Sequence, residues 1–349
     1  MSGLLRSSRS LIGVDIGSDR LKAAQVGRAR QGWRIVAGVS LARAESSAIP
    51  SEDEVHRLAG ILKNTGFSGC EVVIGAPRSL LSTAVLDLPP KTSGAPVEQI
   101  CAAEFARMFR LAPGSYELHA WEMPTASDRT STTQMAASAM ECENAALLVA
   151  PFEAAGLRVE AIDLASEATG RSCLAGCIDA EELTTLLDVG WSGVDLIVFR
   201  GGRVVYERWL RGEGLGGLVE SLSRSLHISD RSARILVRRV GIAGIDDEQA
   251  DPVLVARMLS IMREFAEGLL QQVFGSAAYV LDRFPGESVT QMRVGGGGAV
   301  MPMLGEYLSE MAGLDVQLIV PRDCGFVGGR AADDPHMLTA LGHALWGSV

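Results

Sequence analysis

One short unit occurs twice in this chain, near its start and again at its middle. It is an apolar strand ending on a carboxylate, then a glycine turn, then a returning strand. The first copy runs Leu11-Ile12-Gly13-Val14-Asp15-Ile16, turns at Gly17-Ser18-Asp19 and returns over Leu21 to Val26. The second runs Thr184-Thr185-Leu186-Leu187-Asp188-Val189, turns at Gly190-Trp191-Ser192-Gly193 and returns over Val194 to Phe199. An internal duplication restricts the fold more than any composition figure does. At 349 residues and about 150 per domain, two domains are expected, one around each copy. Hydrophobic residues make up 47% and aromatics only 5%, so the core is aliphatic and the chain is no disordered protein.

Each hairpin tip offers successive backbone N–H groups that can ring a phosphate oxygen. Asp15 and Asp188, one at each strand end, can hold waters around Mg²⁺, which takes few carboxylates beside phosphate. Lys22, just inside the returning strand, reaches the same phosphates as a point charge. Gly17, Ser18, Gly190 and Ser192 are the candidate phosphate contacts. Two such hairpins would clamp a nucleotide from both sides, with Asp15 and Asp188 facing one another across the cleft. A third part comes late. The strand Met292-Arg293-Val294 runs into Gly295-Gly296-Gly297-Gly298, ahead of a helix over Val300 to Met311. Gly295, Gly296 and Gly297 allow close backbone approach to a flat ring or a sugar, at a favourable helix N-terminus.

Other parts of the chain narrow the reading. Strand patterns at Trp33–Leu41 and Glu71–Ile74 flank a helix at Glu52–Asn64, whose apolar residues recur at helical spacing. The segment 79–162 reads as strand, helix, strand, strand, helix, strand, an inserted subdomain with a polar linker over 124–133. Asp163 then opens a helix, a favourable N-cap. Helices are expected over 218–226, 232–240 and 252–274, and a last one over 335–346 on which His336 and His343 face solvent or a neighbouring helix. Met258 and Met262 read as core. Arg231, Arg234, Arg238 and Arg239 form a solvated basic face.

A formal net charge of −10 argues against broad nucleic-acid binding. No apolar run reaches the ~18 residues of a membrane span, and Asp15 breaks the first apolar stretch too early for a signal peptide. The six scattered cysteines form no CxxC pair and suit a reducing compartment. They read as small buried hydrophobes, and the histidines do not join them at zinc spacings. Gly212-Glu213-Gly214-Leu215-Gly216-Gly217 matches GxGxxG by letter, but no second parallel strand follows as a dinucleotide fold requires. The P-loop and GxSxG patterns are absent.

The order of hairpin, hairpin and glycine run resembles the actin-like ATPase superfamily. Within it, the chain is similar to the PilM family of type IV pilus assembly proteins, related to the competence protein A group. The likeness runs nearly end to end. Leu11 to Val26 resembles the family's first phosphate hairpin, Ala84 to Pro89 the opening of its inserted subdomain, and Ala154 to Asp163 the return into the first domain. Leu186 to Gly202 resembles the second hairpin, Met292 to Leu308 the adenosine segment, and Ala340 to Leu345 the closing helix.

The resemblance implies an α/β, ribonuclease H-like two-domain duplication with a nucleotide cleft. Residues 1–78 and 163–180 would form the first domain around the insert 79–162, and 181–330 the second, with a helical subdomain at 217–274. Residues 331–349 would return to the first domain. It also implies ATP and Mg²⁺ as ligands and a cytoplasmic protein recruited to an inner-membrane platform by the short cytoplasmic tail of PilN. That tail would sit in the groove between insert and parent domain. In the chaperone members of the superfamily an acid at the place of Asp163 positions the attacking water.

Two departures stand out. The second tip holds one hydroxyl, Ser192, beside Trp191, and Arg234 follows Ala233 where the family tends to have an acid near the ribose. Weak ATP affinity and at most slow hydrolysis are expected. Two alternatives share the superfold. A small-molecule kinase would need a catalytic Asp and a polar substrate cluster, which 79–162 lacks. An FtsA-like division adaptor would carry an amphipathic membrane helix, which the residues before Val349 do not resemble.

Overall fold

The computed structural model describes residues 9–30, 32–124, 132–173, 182–245 and 251–348. Cys177 and most of the 124–133 linker lie outside them.

β1 (Ile12–Ile16), β2 (Arg20–Arg28) and β3 (Trp33–Ala42) form an antiparallel meander. α1 (Glu52–Asn64) crosses to β4 (Glu71–Gly75), which pairs parallel with β1. A capping box starts α1. Ser51 accepts from the Glu54 N–H while the Glu54 carboxylate accepts from the Ser51 N–H, satisfying two orphan donors. The chain then leaves the sheet. β5 (Leu81–Leu88), α2 (Val97–Phe109), β6 (Tyr116–Glu122) and β7 (Thr133–Glu141) build a separate three-stranded sheet in the order β5-β7-β6. Leu86, Leu88, Cys101, Phe105 and Met135 give it a core of its own.

α3 (Cys142–Ala154), β8 (Arg158–Asp163) and α4 (Ala165–Cys173) follow. Here the expected boundary of the insert at 162 is corrected to 141. β8 pairs parallel with β4, and Leu148 and Phe152 of α3 are buried with Val55, Leu58 and Leu62 of α1. The apolar faces of α3 and β8 thus complete the first domain's core.

The second domain repeats the plan. β9 (Leu183–Val189), β10 (Gly193–Arg200) and β11 (Arg203–Arg211) form a meander. α5 (Leu215–Leu226), α6 (Asp230–Arg239) and α7 (Pro252–Arg283) make the helical subdomain. α7 runs to Arg283, past the expected end at 274. Ser276 and Val280 are buried on it, so one face of the helix stays packed through the small residues 275–278. β12 (Val289–Gly296) returns parallel to β9, and α8 (Leu304–Ala312) leads to β13 (Asp315–Leu318). Met258 and Met262 are buried, as expected.

β14 (Phe326–Val327) pairs with β3, so the chain rejoins the first sheet before the expected return at 331. The two sheets then read β14-β3-β2-β1-β4-β8 and β11-β10-β9-β12-β13. Apart from β14 the strand plans correspond one for one, which is the duplication in three dimensions. α9 (Leu338–Ala344) lies between the halves. Its Leu338, Leu341 and Ala344 share one core with Ala24, Val26 and Ile35 of the first sheet and Leu186, Ile197 and Phe199 of the second. Each Val, Leu, Ile or Phe side chain among them contributes about 1.5–3 kcal/mol on burial, so the halves are joined by a continuous core.

Candidate functional site

The two hairpin tips are built alike. In the first, Ile16 pairs with Leu21 and Asp15 with Lys22. In the second, Val189 pairs with Val194 and Asp188 with Asp195. The Gly17 N–H donates to the Arg20 carbonyl at 3.1 Å, and the Gly190 N–H to the Gly193 carbonyl at 3.0 Å. Both tips open on one cleft of about 440 Å³, lined by Asp15, Gly17, Ser18, Lys22, Asp188, Gly190, Ser192, Gly296 and Gly297. That volume lies in the range of about 300–1,000 Å³ of small-molecule sites. The structure therefore brings together the predicted residues of both hairpins and two of the three glycines. Gly295 is the exception: a Cβ there would meet Leu338 at 3.1 Å, and the residue does not line the cleft.

Lys22 Nζ lies 2.5 Å from Asp15 Oδ2. Burial works against its charge, but Asp15, Asp188 and Asp334 outweigh it and raise the lysine's pKa. Asp188 is pushed up, chiefly by burial, with Asp15 adding to the effect and Lys22 opposing it. Its Oδ2 accepts from the Thr339 hydroxyl at 3.2 Å. A Cβ on Gly296, whose φ is +69°, would fall 2.1 Å from Asp188 Oδ1, so only glycine permits this approach. Among the described residues no group of three or more His, Cys, Asp or Glu gathers as a metal site.

The duplication breaks where Asp195 takes the place of Lys22, seven residues after the strand-end aspartate in each copy. The missing cation comes from the other domain. Arg78 donates from Nε to Asp195 Oδ1 at 2.9 Å and from Nη1 to Glu207 Oε1 at 2.9 Å. Burial opposes the Arg78 charge, but Asp195 and Glu207 hold its pKa above the ordinary value. Burial pushes Asp195 up to about 6, helped by Asp188 and Glu207 and opposed by Arg78. An unfolded aspartate titrates near about 3.9. The native state thus keeps this proton at pH values where the unfolded chain has lost it, and stability from Asp195 rises as pH falls through that window. Relative to Asp195→Asn, the wild type should gain about 1 kcal/mol between about pH 7 and pH 5, measured by urea unfolding. A constant difference would show that Asp195 titrates normally.

Asp163 requires a correction. It ends β8 and caps no helix, and it is absent from the cleft lining. Its carboxylate is held by Arg171 and, at 2.7 Å, by His343 Nδ1. The histidines also differ from expectation: His343 is fully buried, while His336 lines the cleft, 2.8 Å from Asp334. Nor is Arg234 only part of a solvated face. Its guanidinium stacks 3.6 Å from the Trp191 ring centroid and donates to Asp19 Oδ1 at 2.9 Å, joining the second domain to the first hairpin tip. The GxGxxG letters serve the second tip. The Leu215 and Gly216 N–H groups opening α5 donate to the Gly190 and Trp191 carbonyls at 2.9 and 2.8 Å. A Cβ on Gly214 would lie 2.4 Å from the latter oxygen.

Sequence reasoning missed Arg78 because its partners Asp195 and Glu207 lie 117 and 129 positions away. Arg171 and His336 have near partners in Asp163 and Asp334, but only packing decided which of them faces the cleft. Asp195 alone carried a signal, its shared spacing with Lys22.

Comparison with solved structures places this architecture among actin-like proteins. The chain matches a PilM–PilN type IV pilus biogenesis complex at 19% identity with a TM-score of 0.74, over 97% of this chain and 99% of that one. It matches the ethanolamine utilization protein EutJ of Carboxydothermus hydrogenoformans at 15% identity and a TM-score of 0.57, over 98% and 91%. It matches ADP-bound MreB5 of Spiroplasma citri at 10% identity and a TM-score of 0.52, over 98% and 97%. No curated protein sequence matches. The model of the type IV pilus assembly protein PilM covers residues 13–346, and with the duplicated hairpins, the shared cleft and the inserted three-stranded unit in place, the chain belongs to the PilM family.

Proposed function

We propose that this chain is a nucleotide-gated scaffold of a type IV pilus assembly platform. It binds ATP in the cleft and the short cytoplasmic tail of a PilN-like inner-membrane protein in the groove between the inserted unit and its parent domain. The observation that carries the reading is the pair of like-built tips opening on one cleft. Gly17, Ser18, Gly190 and Ser192 would contact phosphate, and Gly296 and Gly297 the adenosine. Mg²⁺ takes one or two carboxylates beside phosphate and water, and Asp15 and Asp188 suit it. When bound, the ion would neutralise phosphate charge. With Asp163 held elsewhere, the chain is at most a slow ATPase. Further support for nucleotide binding comes from the ADP-bound MreB5 of the same fold; the PilM–PilN complex supports the partner.

No described helix is long and apolar enough to cross a membrane, and recruitment through the partner would place the protein peripherally on the cytoplasmic side. An extended peptide would add to a strand edge beside the inserted unit, with micromolar affinity, about −8 kcal/mol, reinforced by avidity at the platform. Leu81 pairs with Met140, so residues 81–141 leave and rejoin the first domain side by side and can be replaced by a short linker. That variant should lose the PilN-like tail, read by peptide fluorescence anisotropy, and keep Mg²⁺-dependent binding of a fluorescent ATP analogue. Peptide binding by the linker variant would refute the docking site. An intact wild type that ignores millimolar ATP would refute the nucleotide reading.

A further inference from the structure

The three-stranded unit is tied to the second domain as well as to its parent. Its root is Arg78, three residues after the end of β4 and three before the start of β5. The Arg78 side chain, only 12% exposed, reaches across to Asp195 of β10 and Glu207 of β11. Its fork takes both carboxylates at once, since Nη2 also reaches Glu207 Oε2 at 3.3 Å. The second tie lies at the far end of the strands. Arg283, the last residue of α7, donates from Nη1 to Gln134 Oε1 at 2.5 Å, with Nη2 4.0 Å from Asp87. Asp87 of β5 and Gln134 of β7 are direct ladder partners, and Gln134 donates to Asp87 at 2.5 Å. Arg283 therefore grips two adjacent strands, and its guanidinium lies 4.6 Å from the Tyr279 ring centroid.

A body hung on one domain and pinned at two points to the other cannot stay still when the domains rotate. Either the unit moves with the second domain, or a pin breaks. Breaking the Arg78 pin would strand charged groups that are mostly shielded from water, which is costly. Arg78 also lines the cleft beside the hairpin tips, so a ligand that alters the domain angle acts at the unit's root.

We propose that Arg78 and Arg283 are the coupling residues that convert the angle between the two domains into the position of the three-stranded unit. Nucleotide in the cleft and the partner peptide on the unit then alter one another's affinity by one and the same factor, as linkage requires. This rests on the nucleotide and peptide reading given above.

The test measures binding of the PilN-like tail peptide with and without saturating ATP analogue, and of the analogue with and without peptide. In the wild type both ratios should be equal and differ from one by about threefold or more. Arg283→Ala lies outside the cleft and should keep each separate affinity while the ratio falls to one; Arg283→Lys should restore part of it. Because Arg78→Gln alone leaves two carboxylates unpaired, the second variant is the neutral network Arg78→Gln/Asp195→Asn/Glu207→Gln, which should also bring the ratio to one. Wild-type ratios in both variants would overturn the assignment of these residues. A wild type that binds both ligands with a ratio of one would overturn the coupling itself. Failure of the wild type to bind either ligand would instead overturn the functional reading on which the coupling rests.

Discussion

Gly342→Ala should destabilise the protein by about 3 kcal/mol or more, at the upper end of what overpacking costs. A Cβ on Gly342 would fall 1.7 Å from the Ala168 carbonyl oxygen and 2.3 Å from its carbon. Both obstructing atoms belong to the backbone of α4, so no side chain can swing aside. α9 would have to retreat from α4, and with it Leu338, Leu341 and Ala344, which close the core shared by both domains. Gly60→Ala is the matching control. Gly60 lies inside α1 with nothing within 4 Å of its added carbon, so that substitution should stabilise by roughly 0.5–1 kcal/mol. Urea unfolding of the two variants beside the wild type measures both effects. A Gly342→Ala protein within about 1 kcal/mol of wild type would mean that the two helices do not pack this closely.

Lys22→Met should lower affinity for ATP about 100-fold, or about 2.7 kcal/mol. Lys22 is the cation that faces Asp15, Asp188 and Asp334 inside the cleft. Removing it takes away a charge-assisted phosphate contact and leaves Asp15 and Asp188 to repel the incoming phosphates. Titration with a fluorescent ATP analogue in Mg²⁺ reads the affinity, and circular dichroism checks that the variant is folded. Unchanged affinity would show that the hairpin tips do not hold phosphate and would remove the basis of the proposed gating.

The hairpins, the meanders and the glycine-rich strand end could be read directly from the chain, since each is a local signal. Alternating apolar residues, a carboxylate at the strand end and a glycine turn lie within about a dozen residues of one another. Their pairing needs no distant partner. The same locality made Asp15, Lys22, Asp188, Gly296 and Gly297 recognisable as one set, and all five line the cleft.

Membership of a larger body is a different kind of fact. The residues of α3 and β8 announce a helix and a strand, but nothing in them says which sheet the strand will join. That was decided by the open edge of β4 and by the cover that Leu148 and Phe152 give to α1. Gly295 reads like Gly296 in sequence, yet the alternation of a strand turns it toward Leu338, away from the cleft.

The charged pairs lay furthest from view. Arg78 meets Asp195 across 117 positions, Asp163 meets His343 across 180, and Arg234 meets Asp19 across 215. By itself, the sequence determined the repeated hairpin, the glycine-rich strand end and hence the class of fold, because those depend on short-range periodicity and turn chemistry. Only the tertiary structure decided which acids Arg78 and Arg234 neutralise, where the inserted unit ends, and that Asp163 is held by Arg171 and His343. The partner of such a long-range carboxylate depends on which surfaces the packed core brings together, and no spacing along the chain encodes that distance.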